Sequence, residues 1–205
     1  QEGLDFNSGY PVYLDDIKDY VLNSTCLSDT TGKLLFFTDG ENIWNSDKDL
    51  MQNGSGLMGD DTNTQSSVIV QDPGNINHYY VFTVGGLYFT VGMKYHIVDI
   101  TLDNGKGAVI QKNVDVDAGF FAKDRITAVR HSNNRDFWII TRIFEYSGHF
   151  QWASFLLTPT GLNPTPVLSS AQPLGLGYLG RKGNLKISHD RKILVSHHTT
   201  YSGAG

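Results

Sequence analysis

The sequence predicts an all-β chain assembled from repeated four-stranded antiparallel units. Three observations lead there. First, one pattern recurs four times: a strand start, a polar residue, Asp or His, a short turn, then an apolar run. It reads Leu27-Ser28-Asp29 before Leu35–Thr38, Val70-Gln71-Asp72 before Tyr80–Thr83, Val129-Arg130-His131 before Trp138–Thr141, and Ile187-Ser188-His189 before Leu194–His197. The starts at 27, 70, 129 and 187 lie roughly 40 to 60 residues apart, the spacing of stacked supersecondary units. Second, clusters of Gly, Pro, Asn and Asp separate the β-rich runs at hairpin spacing. Third, apart from a short turn around Leu14–Tyr20, no window of about twelve residues carries a capped helical period.

Each unit follows from its residues. The first, about 23–52, places Leu35–Thr38 and Trp44 in strand runs. In the second, about 66–115, runs at 67–71 and 78–84 join through Asp72-Pro73-Gly74-Asn75, where Pro presets φ and Gly and Asn tolerate turn conformations. A third run over 95–102 turns at Asp103-Asn104-Gly105 into 107–114, Asn-Gly being a tight hairpin signal. The third unit, about 125–170, repeats the plan at 126–131, 137–143 and 150–157, then a turn at Thr158–Leu162 and a short, Pro-broken outer strand at Pro166–Ser169. A fourth opens at about 184–205. Four-stranded meanders of this length arranged radially make a β-propeller, which packs neighbouring sheets face to face and protects their edges. Propellers need at least four blades, so 1–205 is expected to hold an incomplete ring of about three to four, with the native polypeptide continuing beyond Gly205.

Composition bounds the function classes. The 205 residues are 40% apolar and 12% aromatic, enough for a buried core. A net charge of −5 without a Lys/Arg run argues against nucleic acid as a partner. No apolar stretch approaches the roughly 20 residues that span a bilayer, so membrane insertion is not expected. The single cysteine, Cys26, has no disulfide or CxxC partner and is expected to be a small core residue beside the first strand.

Several segments carry a resemblance: GLDFNSGYP at 3–11, CLSDTTGKLLFFTDGENIWN at 26–45, MQNGSGLMGDDTNTQSSVIVQDPGNINHYYVFTV at 51–84, Arg125–His131 with Asp136-Phe137-Trp138, and Leu185–Leu194. They resemble the N-terminal propeller of large Bacteroidota surface proteins exported by the type IX secretion pathway. The resemblance implies a secreted, cell-surface location, a signal peptide removed before Gln1, later immunoglobulin-like repeats and a gliding motility-associated sorting domain. Two positions depart from the family wording: Ser188-His189-Asp190-Arg191 replaces Ser-Pro-Asp-Gly, and Thr25 precedes Cys26 in place of Gly.

Chemistry-bearing residues are few. Asp29, Asp72, His131 and His189 hold the same place in successive units; hydrogen bonding to the following turn is their expected role, ahead of a metal ring. The oxygen-rich loop Gly59–Asn63 could hold Ca²⁺ but lacks the EF-hand frame, and a turn-forming loop is the expectation; no other cofactor is indicated. His197 and His198 alternate faces on a strand and are expected to be structural. Trp44, Trp138, Trp152, Tyr79, Tyr80, Phe82 and Phe137 are expected in the core, whereas Leu87–Phe89, Phe120-Phe121 and Phe144–Tyr146 lie nearer connections. No GxSxG elbow, phosphate loop or sialidase Asp box is present, and nothing pairs Asp99, Asp115, Asp117, Asp124 or Glu145 across a cleft, so no catalytic residue is assigned.

These features point to a non-catalytic adhesion or recognition module for an extracellular glycan or protein. The alternatives are a structural subunit of a surface assembly and a propeller enzyme acting on polysaccharide. The connecting loops at 45–66, 115–125 and 170–184 are expected to share one face, and the short turns at 30–33, 73–77 and 132–136 the other. The ligand is placed on the loop face, with Asp60, Asp61, Asn63, Phe120 and Phe121 as candidate contacts.

Overall fold

A computed structural model describes residues 3–14, 24–85, 92–116, 121–144, 150–170 and 183–198. The chain is all-β. A hairpin of β1 (Gly3–Asp5) and β2 (Val12–Leu14) is followed by β3 (Thr25–Ser28), β4 (Leu34–Thr38), β5 (Asn42–Asn45) and β6 (Leu50–Ser55). Next come β7 (Ser67–Asp72), β8 (Asn75–Val84), β9 (Met93–Asp99) and β10 (Ala108–Asp115). The third group is β11 (Phe121–Arg130), β12 (Phe137–Phe144), β13 (Phe150–Thr158), the two-residue β14 (Gly161–Leu162) and β15 (Val167–Ser170); β16 (Gly183–Ile187) and β17 (Leu194–His198) close the described chain. Among the described residues the one helical turn, α1 (Leu102–Gly105), sits at the expected Asp103-Asn104-Gly105 turn, with left-handed backbone at Asp103 and Asn104. Among the described residues no helix is long and apolar enough to cross a membrane.

Consecutive strands within a group pair antiparallel, except that β14 and β15 both pair with β13. β3–β6 and β7–β10 then join at one parallel contact, Ala108 beside Gln52, giving an eight-stranded sheet ordered β3-β4-β5-β6-β10-β9-β8-β7. Its two ends meet where Thr25 Oγ1 donates to the Ser67 carbonyl at 3.0 Å, so the sheet is nearly closed and barrel-like. β15 pairs with β13 at the outer edge of the third sheet, and β16 pairs with β17.

The apolar run in β8 explains how the sheets stack. Tyr79 and Val81 enter one core with Phe36, Ile43, Met51, Val98 and Val109. Their alternate neighbours Tyr80, Phe82 and Val84 enter a second core with Ile126, Ile139, Ile143, Phe155 and Leu157 of the third sheet. A strand covered on both faces needs an unbroken apolar run, because successive side chains point to opposite sides. Full burial of each such side chain contributes on the order of 1.5–3 kcal/mol, so β8 is the central wall of the molecule.

Alternation also corrects one expectation. In β3, Leu27 packs against the first core, whereas Cys26, one residue out of phase, is exposed. A period of two overrides the general preference of cysteine for the interior.

Short turns and connecting segments are built differently. In the β3–β4, β11–β12 and β16–β17 hairpins the turn keeps the same two backbone bonds, with one residue fewer in β3–β4. Asp29 N–H donates to Lys33 O, His131 N–H to Asp136 O and Ser188 N–H to Ile193 O. The residue three further on, Gly32, Asn134 or Arg191, donates back to the Asp29, His131 or Ser188 carbonyl and has positive φ. Thus Ser188, not His189, is the structural counterpart of Asp29 and His131. Ser188 Oγ accepts from Ile193 N–H at 3.0 Å, while the His189 side chain is exposed.

Candidate functional site

A groove of about 300 Å³ opens between the second and third sheets, at the end that carries the short turns. One wall is Gln71–Ile76, the β7–β8 turn; the other is formed by Arg130, Asn134, Arg135 and Phe137, around the β11–β12 turn.

Local chemistry fixes both walls. Asp72 Oδ1 accepts from Gly74 N–H at 2.7 Å and Asn75 Oδ1 from Asn77 N–H at 3.0 Å, two Asx turns in succession. Gly74 presses against the third sheet: a Cβ there would lie 2.6 Å from the Pro159 carbonyl oxygen, so only glycine lets the turn seat. On the opposite wall Asn133 Oδ1 accepts from both Arg135 and Asp136 N–H at 3.0 Å, and His131 Nδ1 accepts from Asn133 N–H at 3.2 Å. The walls are rigid because their backbone polar groups are held by their own side chains.

The groove surface is mixed. Arg130 lies over the Phe137 ring with its guanidinium carbon 5.3 Å from the centroid, a cation–π contact. Its Nη1 donates to the Asn134 carbonyl at 3.4 Å. Arg135 pairs with the buried Asp136, Nε to Oδ1 at 2.8 Å. That bond holds the Asp136 carboxyl below its ordinary range and lifts the Arg135 guanidinium above its own. Gln71 Nε2 donates to Ile76 O at 3.0 Å, and the Ile76 side chain is 74% exposed at the rim. Cation, amide, aromatic and aliphatic surface therefore meet in one depression.

Of the residues proposed from sequence, Asp60, Asp61 and Asn63 lie elsewhere. Asp60 and Asn63 are buried in the loop between β6 and β7. Asp60 Oδ1 accepts from Thr62 N–H at 2.8 Å and Thr62 Oγ1 at 2.5 Å, and Asn63 Nδ2 donates to Gly85 O at 3.2 Å. Asp61 sits nearby; burial first, then the charges of Asp61, Asp39 and Asp60, push the Glu41 carboxyl upward. Among the described residues no group of three or more His, Cys, Asp or Glu is arranged to hold a metal. Phe120 lies outside the described residues, and of Phe121 only the backbone, at the start of β11, is described.

The other candidates also disperse. Asp29, Asp72 and His131 accept backbone N–H groups of their own turns. Asp99 bonds Thr101 N–H at 2.9 Å and lies 3.5 Å from His78 Nε2; Asp115 pairs with Lys94. His197 is exposed, and its carbonyl accepts from Arg125 at 2.5 Å. Trp44 stacks on Phe37 at 5.1 Å and Trp138 lies 5.7 Å from His131. Residues 86–91, 117–120 and 145–149, with Asp117, Glu145 and the Leu87–Phe89 run, lie outside the described residues, as does the Asp124 side chain.

Two architectural centres escaped the sequence reading. Gln65 accepts from Leu185 N–H at 2.7 Å and donates to Leu185 O at 3.4 Å, while its own carbonyl accepts from Ile126 N–H at 3.1 Å, so one residue ties three units. His96 is fully buried, with Nδ1 accepting from Asn113 N–H at 3.0 Å and Nε2 3.1 Å from Thr83 Oγ1. Asn113 in turn holds Met58 N–H at 2.8 Å and Gly56 O at 3.0 Å, anchoring the β6–β7 loop.

No protein-family model, curated protein or solved structure matches the chain, so the groove itself is the ground for a functional reading.

Proposed function

We propose that the chain folds as four-stranded blades of a β-propeller and serves as a non-catalytic recognition module on a type IX-secreted surface protein. Supporting the radial reading, the first strands of successive units are neighbours: β3 beside β7, β7 beside β11, and β11 beside β16. Stacked cores between consecutive sheets fit the same picture. The single observation that carries recognition is the groove between the Gln71–Ile76 and Arg130–Phe137 turns, where rigid walls expose polar and apolar surface together. Rigid, mixed concavities of this size bind with little ordering cost.

Glycan-array binding, coupled with pull-down from Bacteroidota cell envelopes, tests this reading. Saturable binding of a glycan or extracellular protein supports it. Turnover of any bound glycan, or failure to retain either class, refutes it.

A specific observation favours a second reading, a subunit of a surface assembly. Leu4, Phe6, Tyr10 and Tyr13 in and around the β1–β2 hairpin and Ile193 and Val195 in and beside β17 are exposed. Such residues at both ends of the array suit burial against another chain. A stoichiometric protein partner that protects both hairpins from hydrogen exchange would favour it.

A further inference from the structure

We infer that the groove between the two turns takes a segment of an acidic polysaccharide, a sugar polymer bearing carboxylates. The inference rests on the recognition reading above and narrows it to one ligand class.

Charge is the first argument. The whole chain carries −5, yet the cations at this corner include two without a carboxylate partner, while Asp72, a carboxylate lining the groove, is held by Gly74 N–H and lies 3.9 Å from His78 Nδ1. Arg191 of the fourth hairpin donates from Nη1 to Asn134 Oδ1 at 2.9 Å, so Arg130 and Arg191 converge on the same groove residue. Arg135 is neutralised by Asp136, and Lys192 lies 3.8 Å from Asp190. Among the described residues neither Arg130 nor Arg191 has a carboxylate within ion-pair distance. Each guanidinium carries five N–H donors in a fork that matches a carboxylate, and the bonds to Asn134 occupy one on each.

Shape and surface chemistry select a sugar over an acidic peptide. Peptides most often bind beside an open strand edge or in an apolar trough. Here the walls are turns whose backbone groups are already bonded internally, so no ladder is offered. Besides the Asp72 carboxylate, which its own turn and His78 engage, the lining is amide, guanidinium, the Phe137 ring and the Ile76 side chain, a set suited to hydroxyls, carboxylates and the apolar faces of sugar rings. A volume of about 300 Å³ suits a short stretch of polymer lying across an open groove.

The test is calorimetric titration of the 205-residue chain with a galacturonic acid hexamer, against a neutral galactose hexamer and hexa-aspartate as comparisons. Saturable uronate binding is expected, weakening with salt, with a loss of about tenfold or more in Arg130→Gln and in Arg191→Gln at unchanged thermal midpoint. If Arg130→Gln lowers the midpoint, chemical-shift mapping of uronate onto Asn75, Asn134 and Ile76 in the unsubstituted chain decides the location. No uronate binding at about 1 mM, a Kd corresponding to only about −4 kcal/mol, overturns the inference. So does equal affinity for the neutral hexamer or for hexa-aspartate, or binding indifferent to both substitutions. Hits elsewhere on a glycan array, with none here, would sink the ligand class and leave the recognition reading standing.

Discussion

Acid should loosen this protein through one buried imidazole. Burial first, then the nearby Lys112 charge, pushes the His96 pKa down to about 3 from an ordinary 6.5. Its geometry agrees: Nδ1 accepts a backbone N–H, which a protonated ring cannot do. The unfolded chain takes up the proton near pH 6.5 while the native state resists it until about 3, so the stabilisation is complete above about 6.5 and is lost as pH falls toward 3. Each pH unit in that window is worth about 1.4 kcal/mol, so passing from pH 8 to pH 5 should remove about 2 kcal/mol. Urea unfolding followed by tryptophan fluorescence at pH 8, 6.5 and 5 measures it, with His96→Gln as the reference. Glutamine keeps one acceptor and one donor but cannot titrate, so contributions from other groups, including Glu41 with its opposite sign, cancel in the difference. Equal pH slopes for the two proteins would refute the reasoning.

Four smaller perturbations follow from single contacts. Arg191 has φ of +62, a conformation costing an L-residue roughly 1–2 kcal/mol, so Arg191→Gly should raise stability by about 0.5–1 kcal/mol after loss of its exposed bond to Asn134, read as a melting point higher by about 2 °C. Gly74→Ala drives a Cβ against the Pro159 carbonyl oxygen and should destabilise by about 1–3 kcal/mol; an unchanged urea midpoint would count against the seating of that turn. Gln65→Ala removes both side-chain bonds to Leu185, and hydrogen exchange at the Leu185 amide should accelerate about 5- to 30-fold, with little change in β8. Cys26, exposed on β3, should react fully with a thiol reagent in the native state; labelling that requires denaturant would place it back in the core.

Strand alternation and turn chemistry were legible because each depends on neighbours within a few residues. The Pro73-Gly74 turn, the Asp103-Asn104-Gly105 turn and the continuous β8 run all lie where local rules put them. The Ser188 register was not legible: the turn sequences DTTGK, HSNNRD and SHDRKI share no residue pattern, and only the repeated backbone bonds align them. Cys26 was misread because residue type was weighed above phase within Thr25–Ser28. His96 gave one signal, a histidine at an inward position of the alternating run Met93–Asp99, but its partner Asn113 is a strand away. The groove left no local trace, since Ile76 and Arg130 become neighbours only when the second and third sheets stack.

The two ends of the sheets put polar side chains to opposite uses, and this bears on which face can vary in sequence without unfolding. In the β6–β7 connection Asp60, Asn63, Thr64 and Gln65 direct their polar atoms into the chain, and Met58 is held by Asn113 and Thr83. A ligand contact made by Asn63 would compete with the bond that seats its own loop, so substituting it disturbs the fold first. At the short turns, backbone N–H groups are met by Asp72, Asn75 and Asn133, which leaves the Ile76 side chain outward and Arg130 with one long bond to the Asn134 carbonyl. Substitutions there change the surface and spare the scaffold. A working face that can diversify without unfolding its own support is the turn face.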